Sequence, residues 1–234
     1  MKRLRRPVLS LFALVTACGA SQAGDGSGAA APGGAPAVGE STASGAGGAA
    51  SSAPAADQAA SNPAPDFTLP DLDGNPITLS ALRGKIVVLE WFNPGCPFVR
   101  YAHGEGPLRD LAARHTASGV VWLAINSGAR GKQGNGVDLN REWREKWHME
   151  YPILVDESGE VGKKYGATNT PQMFVIDARG SLAYHGALDN APLGKVPSEG
   201  HTIYLNDALA AVAAGKPVEV AETKPYGCAV KYAK

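Results

Sequence analysis

The sequence predicts a single α/β domain with a central mixed sheet flanked by helices. Three observations carry that reading. Short apolar, β-branched runs at 86–92, 120–125, 153–155 and 173–177 alternate with segments of helical pattern. The chain then closes with a strand–turn–strand hairpin and a last amphipathic helix, the order of a layered α/β fold. Third, the 29 Gly and 17 Pro are unevenly spread. Residues 19–64 hold 38 Ala, Gly, Ser or Pro out of 46, and no aromatic side chain. Such a stretch cannot bury enough apolar surface to offset chain entropy. The foldable part runs from Pro65 onward, about 170 residues, which suits one domain. A two-domain enzyme is excluded, as is a collagen-like rod, because no strict glycine period is present.

The first seventeen residues read as an address. Lys2, Arg3, Arg5 and Arg6 precede an apolar run over 8–15. That run is too short to span a bilayer, which needs roughly 20 residues, and has the layout of an export signal. Val15-Thr16-Ala17-Cys18 resembles the lipobox of bacterial lipoproteins. The resemblance implies cleavage before Cys18 and lipidation of that residue; the plainer alternative is a secretory signal with a chance cysteine. The tract 18–64 is then a tether between membrane and domain. Removing 1–17 takes away four cations and no anion, so 22 basic against 22 acidic residues becomes a net charge of −4. No Lys/Arg cluster remains, which argues against a nucleic-acid partner. The expected location is the bacterial cell envelope, lipid-anchored and facing the periplasm.

The elements follow in order. Residues 67–69 and 77–79 form a hairpin about the turn Asp73-Gly74-Asn75, an extension N-terminal to the main sheet. Ser80 suits the N-cap of a short turn closed by Gly84. Residues 86–92 form a buried central strand with Glu90 as its one charge. After Asn93-Pro94-Gly95, a helix opens at Cys96 and runs to about His115, with Pro97 at its first position. Strand 120–125, a glycine-rich loop over 128–136 and helix 138–147 come next. Strand 153–155, a short helix over 158–165, the hairpin 173–177 and 181–185, and helix 204–214 complete the domain. It is placed at 65–216, with a tail over 217–234 that carries Cys228.

With Cys18 set aside, Cys96 and Cys228 remain. Outside the cytoplasm they can bond each other, bind metal or stay as thiols. Cys96 has the more telling surroundings. A thiol reacts as its thiolate, and a cysteine at a helix start faces unpaired N–H groups and the positive end of the helix dipole. The turn chemistry of Asn93-Pro94-Gly95 argues for a sulfur near the surface at the carboxyl edge of the sheet. The competing reading is an inert, buried structural cysteine.

Three segments carry a family resemblance. Asp66-Phe67-Thr68-Leu69 with Gly74 and residues 77–85, the active-site stretch 90–99, and Thr170-Pro171-Gln172-Met173-Phe174-Val175-Ile176-Asp177 occur in that order. The chain thereby resembles the thioredoxin-like superfamily in its redoxin (AhpC/TSA) branch, nearest the peroxiredoxin-like group that keeps only the first active-site cysteine. The resemblance implies that Cys96 is the attacking nucleophile and that Pro171 is a cis proline beside it. Thr170 and Pro171, with Pro97, would then hold an extended substrate chain. An ordinary trans Pro starting a strand is the other reading of Pro171. Glu90 matches the buried acid of thioredoxins, and its apolar strand suits it as a proton acceptor; a salt-bridged Glu at a strand end is the alternative.

Two departures matter. Val99 stands where the second cysteine of Cys-X-X-Cys would be, and Asn93 stands where a peroxiredoxin has Thr or Ser. Cys228 is the candidate to supply the missing thiol. Pro225 and Gly227 put it on an exposed, mobile tail able to fold back and resolve a mixed disulfide. A permanent staple to Cys96, or a remote free thiol, are the alternatives. Arg100 and His103 are expected to be solvated, Trp143 and Trp147 core-facing, and loop 128–136 a flexible rim. His185 and Asp189 have no supporting motif.

The expected function is envelope thiol–disulfide exchange with a protein disulfide or thiol partner. No metal or organic cofactor is required, and an external thiol donor supplies electrons. The alternatives are a thiol peroxidase using Cys96, and a non-catalytic binding module with a Cys96–Cys228 bond. The sequence assigns no oligomeric state.

Overall fold

The structure, a computed structural model, describes residues 62–234. The leader, Cys18 and nearly all of the expected tether lie outside the described residues. The chain runs β1 (Thr68–Pro70), β2 (Pro76–Thr78), β3 (Val87–Trp91), α1 (Pro97–Gly104), α2 (Leu108–Ala117), β4 (Val121–Asn126), α3 (Val137–Lys146), β5 (Ile153–Val155), α4 (Glu160–Lys164), β6 (Asn169–Thr170), β7 (Gln172–Ile176), β8 (Leu182–Gly186), α5 (Tyr204–Ala213) and β9 (Cys228–Ala229).

Five strands form the main sheet in the order β5-β4-β3-β7-β8. β3 is central, parallel to β4 and antiparallel to β7, with Leu89 opposite Leu123 on one side and Phe174 on the other. Every residue of β3 is buried, as expected of a strand covered on both faces. Alternation divides it. Val88 and Phe92 join Val99, Leu111 and Leu205 beneath α1, α2 and α5. Val87, Leu89 and Trp91 join Phe67, Leu69, Val161 and Tyr165, so the β1–β2 hairpin and α4 cover the opposite face. The mixed α/β sheet, the flanking helices and the N-terminal hairpin are the architecture expected.

Three local expectations are corrected. One helix from Cys96 to about His115 is instead α1 and α2, broken at Glu105-Gly106-Pro107. Pro107 has no N–H to give, and the ladder of α1 closes just before it. Glu105 N and Gly106 N both donate to the Tyr101 carbonyl, at 2.9 and 2.7 Å. The close approach at the second of these needs glycine, since a Cβ at Gly106 would press within 2.9 Å of Ala102 Cα. Ser80 does not cap a helix; its N–H donates to Asp66 Oδ1 at 2.9 Å within a 3-10 turn over Leu79–Leu82. Finally, residues 62–64 already belong to the domain edge, with Ala64 N on Gly180 O at 3.0 Å and Leu182 N on Asn62 O at 2.8 Å.

The centre of β3 is the point of highest packing demand. Leu89→Ala, at a position with no exposed surface, is expected to cost about 2–5 kcal/mol. A urea unfolding midpoint unchanged from the parent would contradict this packing.

Candidate active site

The end of β3 delivers the chain to a tight, fully bonded turn. Asn93 Oδ1 accepts from Gly95 N at 2.7 Å, and Cys96 N donates to Asn93 O at 3.0 Å. Asn93 Nδ2 donates to Gln133 O, and Gln133 Nε2 returns a bond to Gly95 O, each at 3.0 Å. The loop over 128–136 is therefore not a loose rim: it clamps the turn. Cys96 is the N-cap residue of α1 and Pro97 its first helical residue, as expected.

Cys96 carries no exposed surface, which corrects the expectation of a sulfur open at the sheet edge. Cys96 belongs to the core cluster beneath α1, and the C-terminal tail packs against that cluster. β9 pairs antiparallel with β6, setting Cys228 opposite Thr170 and Ala229 opposite Asn169. The Cys96 thiol donates at 3.1 Å to the carbonyl of Thr170, the residue that Cys228 faces across the β6–β9 pair, and each thiol shifts the acidity of the other. Both are free thiols. Cys228 is half-buried in a strand, which corrects the expectation of an exposed tail. The Thr170-Pro171 peptide bond is cis. The backbone of Thr170, expected to hold a partner chain, holds this chain's own tail.

The tail can lie this close because of two glycines. Gly227 has φ +110°, and a Cβ there would collide with the Thr170 carbonyl. Gly186 has φ +146°, and a Cβ there would strike the backbone of Thr223. From Thr223 onward the tail is tied at each step. Thr223 Oγ1 shares a bond with Tyr184 Oη at 2.6 Å, Asn169 Nδ2 donates to Gly227 O at 3.0 Å, and Val230 N donates to Thr168 O at 2.9 Å. Tyr232 Oη donates to Ala167 O at 2.7 Å.

The two sulfurs differ in acidity. Burial pushes the Cys96 thiol up, but hydrogen bonds from the Cys228 and Thr170 side chains outweigh it and hold Cys96 below the ordinary thiol range. The N–H groups of Val99 and Cys228 also face the sulfur and act in the same direction. Cys228 is pushed up to about 11, by burial first and then by its hydrogen bond to Cys96 and the charge there. Cys96 is thus the more acidic thiol of the pair.

Glu90 is fully buried on β3. Its Oε1 meets His103 Nε2 at 2.7 Å, and its Oε2 accepts from Trp122 Nε1 at 3.1 Å and Tyr151 Oη at 3.4 Å. These three partners engage both carboxylate oxygens. His103 is buried and stacks on Trp147 at 4.9 Å, which corrects its expected solvation. Arg100 is exposed; its Nε donates to Pro94 O at 2.7 Å and its guanidinium lies 4.5 Å over Trp143. Trp143 and Trp147 are half-buried. Sequence reasoning missed the pairing of β9 with β6, whose two-residue strands are too short for a periodic signal.

The AhpC/TSA family model matches residues 60–185. The chain belongs to the AhpC/TSA family. The thiol–disulfide oxidoreductase ResA of Geobacillus thermodenitrificans is 32% identical over 126 residues, covering 53% of this chain and 67% of the relative. Chloroplastic peroxiredoxin Q of Triticum aestivum is 27% identical over 131 residues, covering 51% and 55% respectively. A solved structure of a hypothetical protein from Sinorhizobium meliloti matches with TM-score 0.64 and 29% identity, covering 74% of this chain and 93% of that one. The family and these relatives identify a thioredoxin-like oxidoreductase. The family match ends at residue 185, so it does not include Cys228.

The opposed acidities yield a measurable consequence in a Cys18→Ser background, where Cys96 and Cys228 are the two thiols. Cys228→Ala removes the leading donor to the thiolate, so the Cys96 midpoint should move up. Cys96→Ala removes a hydrogen bond and a charge, so the Cys228 midpoint should fall below about 11. Thiolate ultraviolet absorbance against pH reads both; midpoints that do not move would show that the sulfurs do not interact.

Proposed function

We propose that the chain is an exported, lipid-anchored thiol–disulfide oxidoreductase in which Cys96 attacks and Cys228 resolves. The observation that carries this is the meeting of Cys96, at the start of α1, and Cys228, on β9, at Thr170, with the Cys96 thiol the more acidic of the two. In the first step the Cys96 thiolate attacks a partner disulfide. One Cys96–partner S–S bond forms, the partner's S–S bond breaks, and its second sulfur leaves as a thiolate. In the second, the deprotonated Cys228 attacks the sulfur of Cys96. A Cys96–Cys228 bond forms and the partner leaves reduced. An external dithiol then restores both thiols and is itself oxidised.

The second step is conditioned by the first. Two causes of the high Cys228 pKa, after burial, are the hydrogen bond to Cys96 and the charge on it. A mixed disulfide at Cys96 removes that charge and weakens that bond, so Cys228 ionises more readily when a thiolate is needed. Because Cys96 has no exposed surface, the first step requires β9 to leave Thr170 and admit the partner. Thr170 and Pro171 then offer that partner the edge now used by the tail, with Pro97 at the helix start beside it. Glu90 is assigned to the proton balance of the helix-side interior, with His103 as its partner.

Peroxide is a second oxidant, favoured by the likeness to peroxiredoxin Q. Attack of the Cys96 thiolate on the O–O bond gives a sulfenic acid, and condensation with Cys228 gives the disulfide and water. Against fast turnover, both polar ends of the Asn93 side chain are engaged in the active-site turn. Turnover of hydrogen peroxide with a dithiol donor, compared with reduction of a protein disulfide, separates the two.

Two variants test the main reading. Cys96→Ser should abolish disulfide exchange, while Cys228→Ser should accumulate a partner-linked mixed disulfide, visible by mass spectrometry without reductant. Equal turnover and no trapped species in Cys228→Ser would remove the resolving role. For the anchor, Cys18→Ser should move the protein from the membrane to the soluble envelope fraction; unchanged membrane retention would remove lipidation.

A further inference from the structure

Asp189 is a buried acid that the exchange chemistry leaves unused. It follows β8, is 2% exposed, and has both carboxylate oxygens engaged. Tyr226 Oη donates to its Oδ1 at 2.5 Å, and Ala191 N donates to the same oxygen at 3.1 Å. His201 Nε2 meets its Oδ2 at 2.9 Å. Tyr226 lies two residues before Cys228. Its ring packs on Phe98 at a centroid separation of 5.9 Å, and Phe98 lies two residues after Cys96. The tail is therefore held against α1 by this ring contact, and two residues on, Cys228 pairs with Thr170, whose carbonyl accepts from Cys96.

We propose that Asp189, backed by His201, is a positioning residue that holds Tyr226 and thereby sets the reach of Cys228 to Cys96. The inference rests on the reading of Cys228 as the resolving cysteine. A thiol two residues from a fixed point searches little space, so its effective concentration at Cys96 is high. With the Tyr226 hydroxyl free, the same segment samples more positions and the intramolecular disulfide forms less completely. Downstream, Tyr232 on Ala167 keeps the end of the tail attached, so loss of the Asp189 bond loosens the segment without releasing it.

The test is the equilibrium of the full chain, carrying Cys18→Ser, with oxidised and reduced glutathione. One oxidised glutathione is consumed and two reduced ones appear for each Cys96–Cys228 bond formed, and alkylation with mass spectrometry counts the thiols. Tyr226→Phe keeps the ring on Phe98 and removes the hydroxyl; Asp189→Asn removes the charged acceptor. Each should lower the equilibrium constant, on the order of tenfold, through the lost effective concentration of Cys228 at Cys96. The loss in the double variant should be smaller than the product of the two single losses, because both alter the Tyr226–Asp189 contact. An unchanged constant in Tyr226→Phe overturns the proposal, as do losses that multiply in the double variant. Where Asp189→Asn does not fold, Tyr226→Phe decides alone. An unsubstituted chain that forms no Cys96–Cys228 bond overturns the resolving role itself, a result distinct from a weakened bond in the variants.

Discussion

The meeting of Cys96 and the β6–β9 pair at Thr170 is the constraint on which the rest of the site depends. A thiolate without exposed surface is costly unless donors face it. Here the donors come from the tail, from Thr170 and from the first turn of α1. None of these acts alone. The helix start sets where the sulfur stands, the cis Thr170-Pro171 bond sets where β6 passes it, and β9 brings the second sulfur to the same point.

That arrangement changes the meaning of burial. A cysteine sealed by core side chains is inert, and such sealing at position 96 would argue for a scaffold. Here part of the cover is a two-residue strand near the end of the chain. A pairing of this kind can open without disturbing the main sheet, because β6 and β9 form a separate two-stranded sheet. Gly227 and Gly186 let the tail sit closely without side-chain bulk, so close packing here does not require an extensive interface.

Much of this was legible in the chain itself. The apolar runs located β3, β4, β5 and β7, because a strand buried on both faces has no polar alternation to obscure it. Pro97 after Cys96 marked the helix start, whereas the cis Pro171 was implied by the family resemblance, since Thr170-Pro171 alone also suits a trans strand start. The break at Gly106-Pro107 was also written there, in a residue without an N–H after one without a Cβ, and a helix carried through it overlooked that chemistry. The tail was a different matter. Pro225 and Gly227 read as flexible punctuation, yet Gly227 serves close approach to Thr170. His103 read as solvated because a helix position alone does not disclose a carboxylate on the facing strand. Asp189 could not be assigned because its partners, Tyr226 and His201, are distant in sequence and are joined only by the fold.

The division of labour between the sulfurs follows from the same geometry. Val99 occupies the place where a second thiol would lie on α1 itself, and it is buried in the core under that helix. In the proposed mechanism the second thiol sits on the tail, so α1 can pack tightly at Val99 while the resolving group rests on a separate segment. A resolving thiol fixed on the helix would face each incoming partner at once. On this proposal, one carried on β9 leaves Thr170 for a partner to enter and returns for that partner to be released, so strand pairing and sulfur chemistry become successive uses of the same edge.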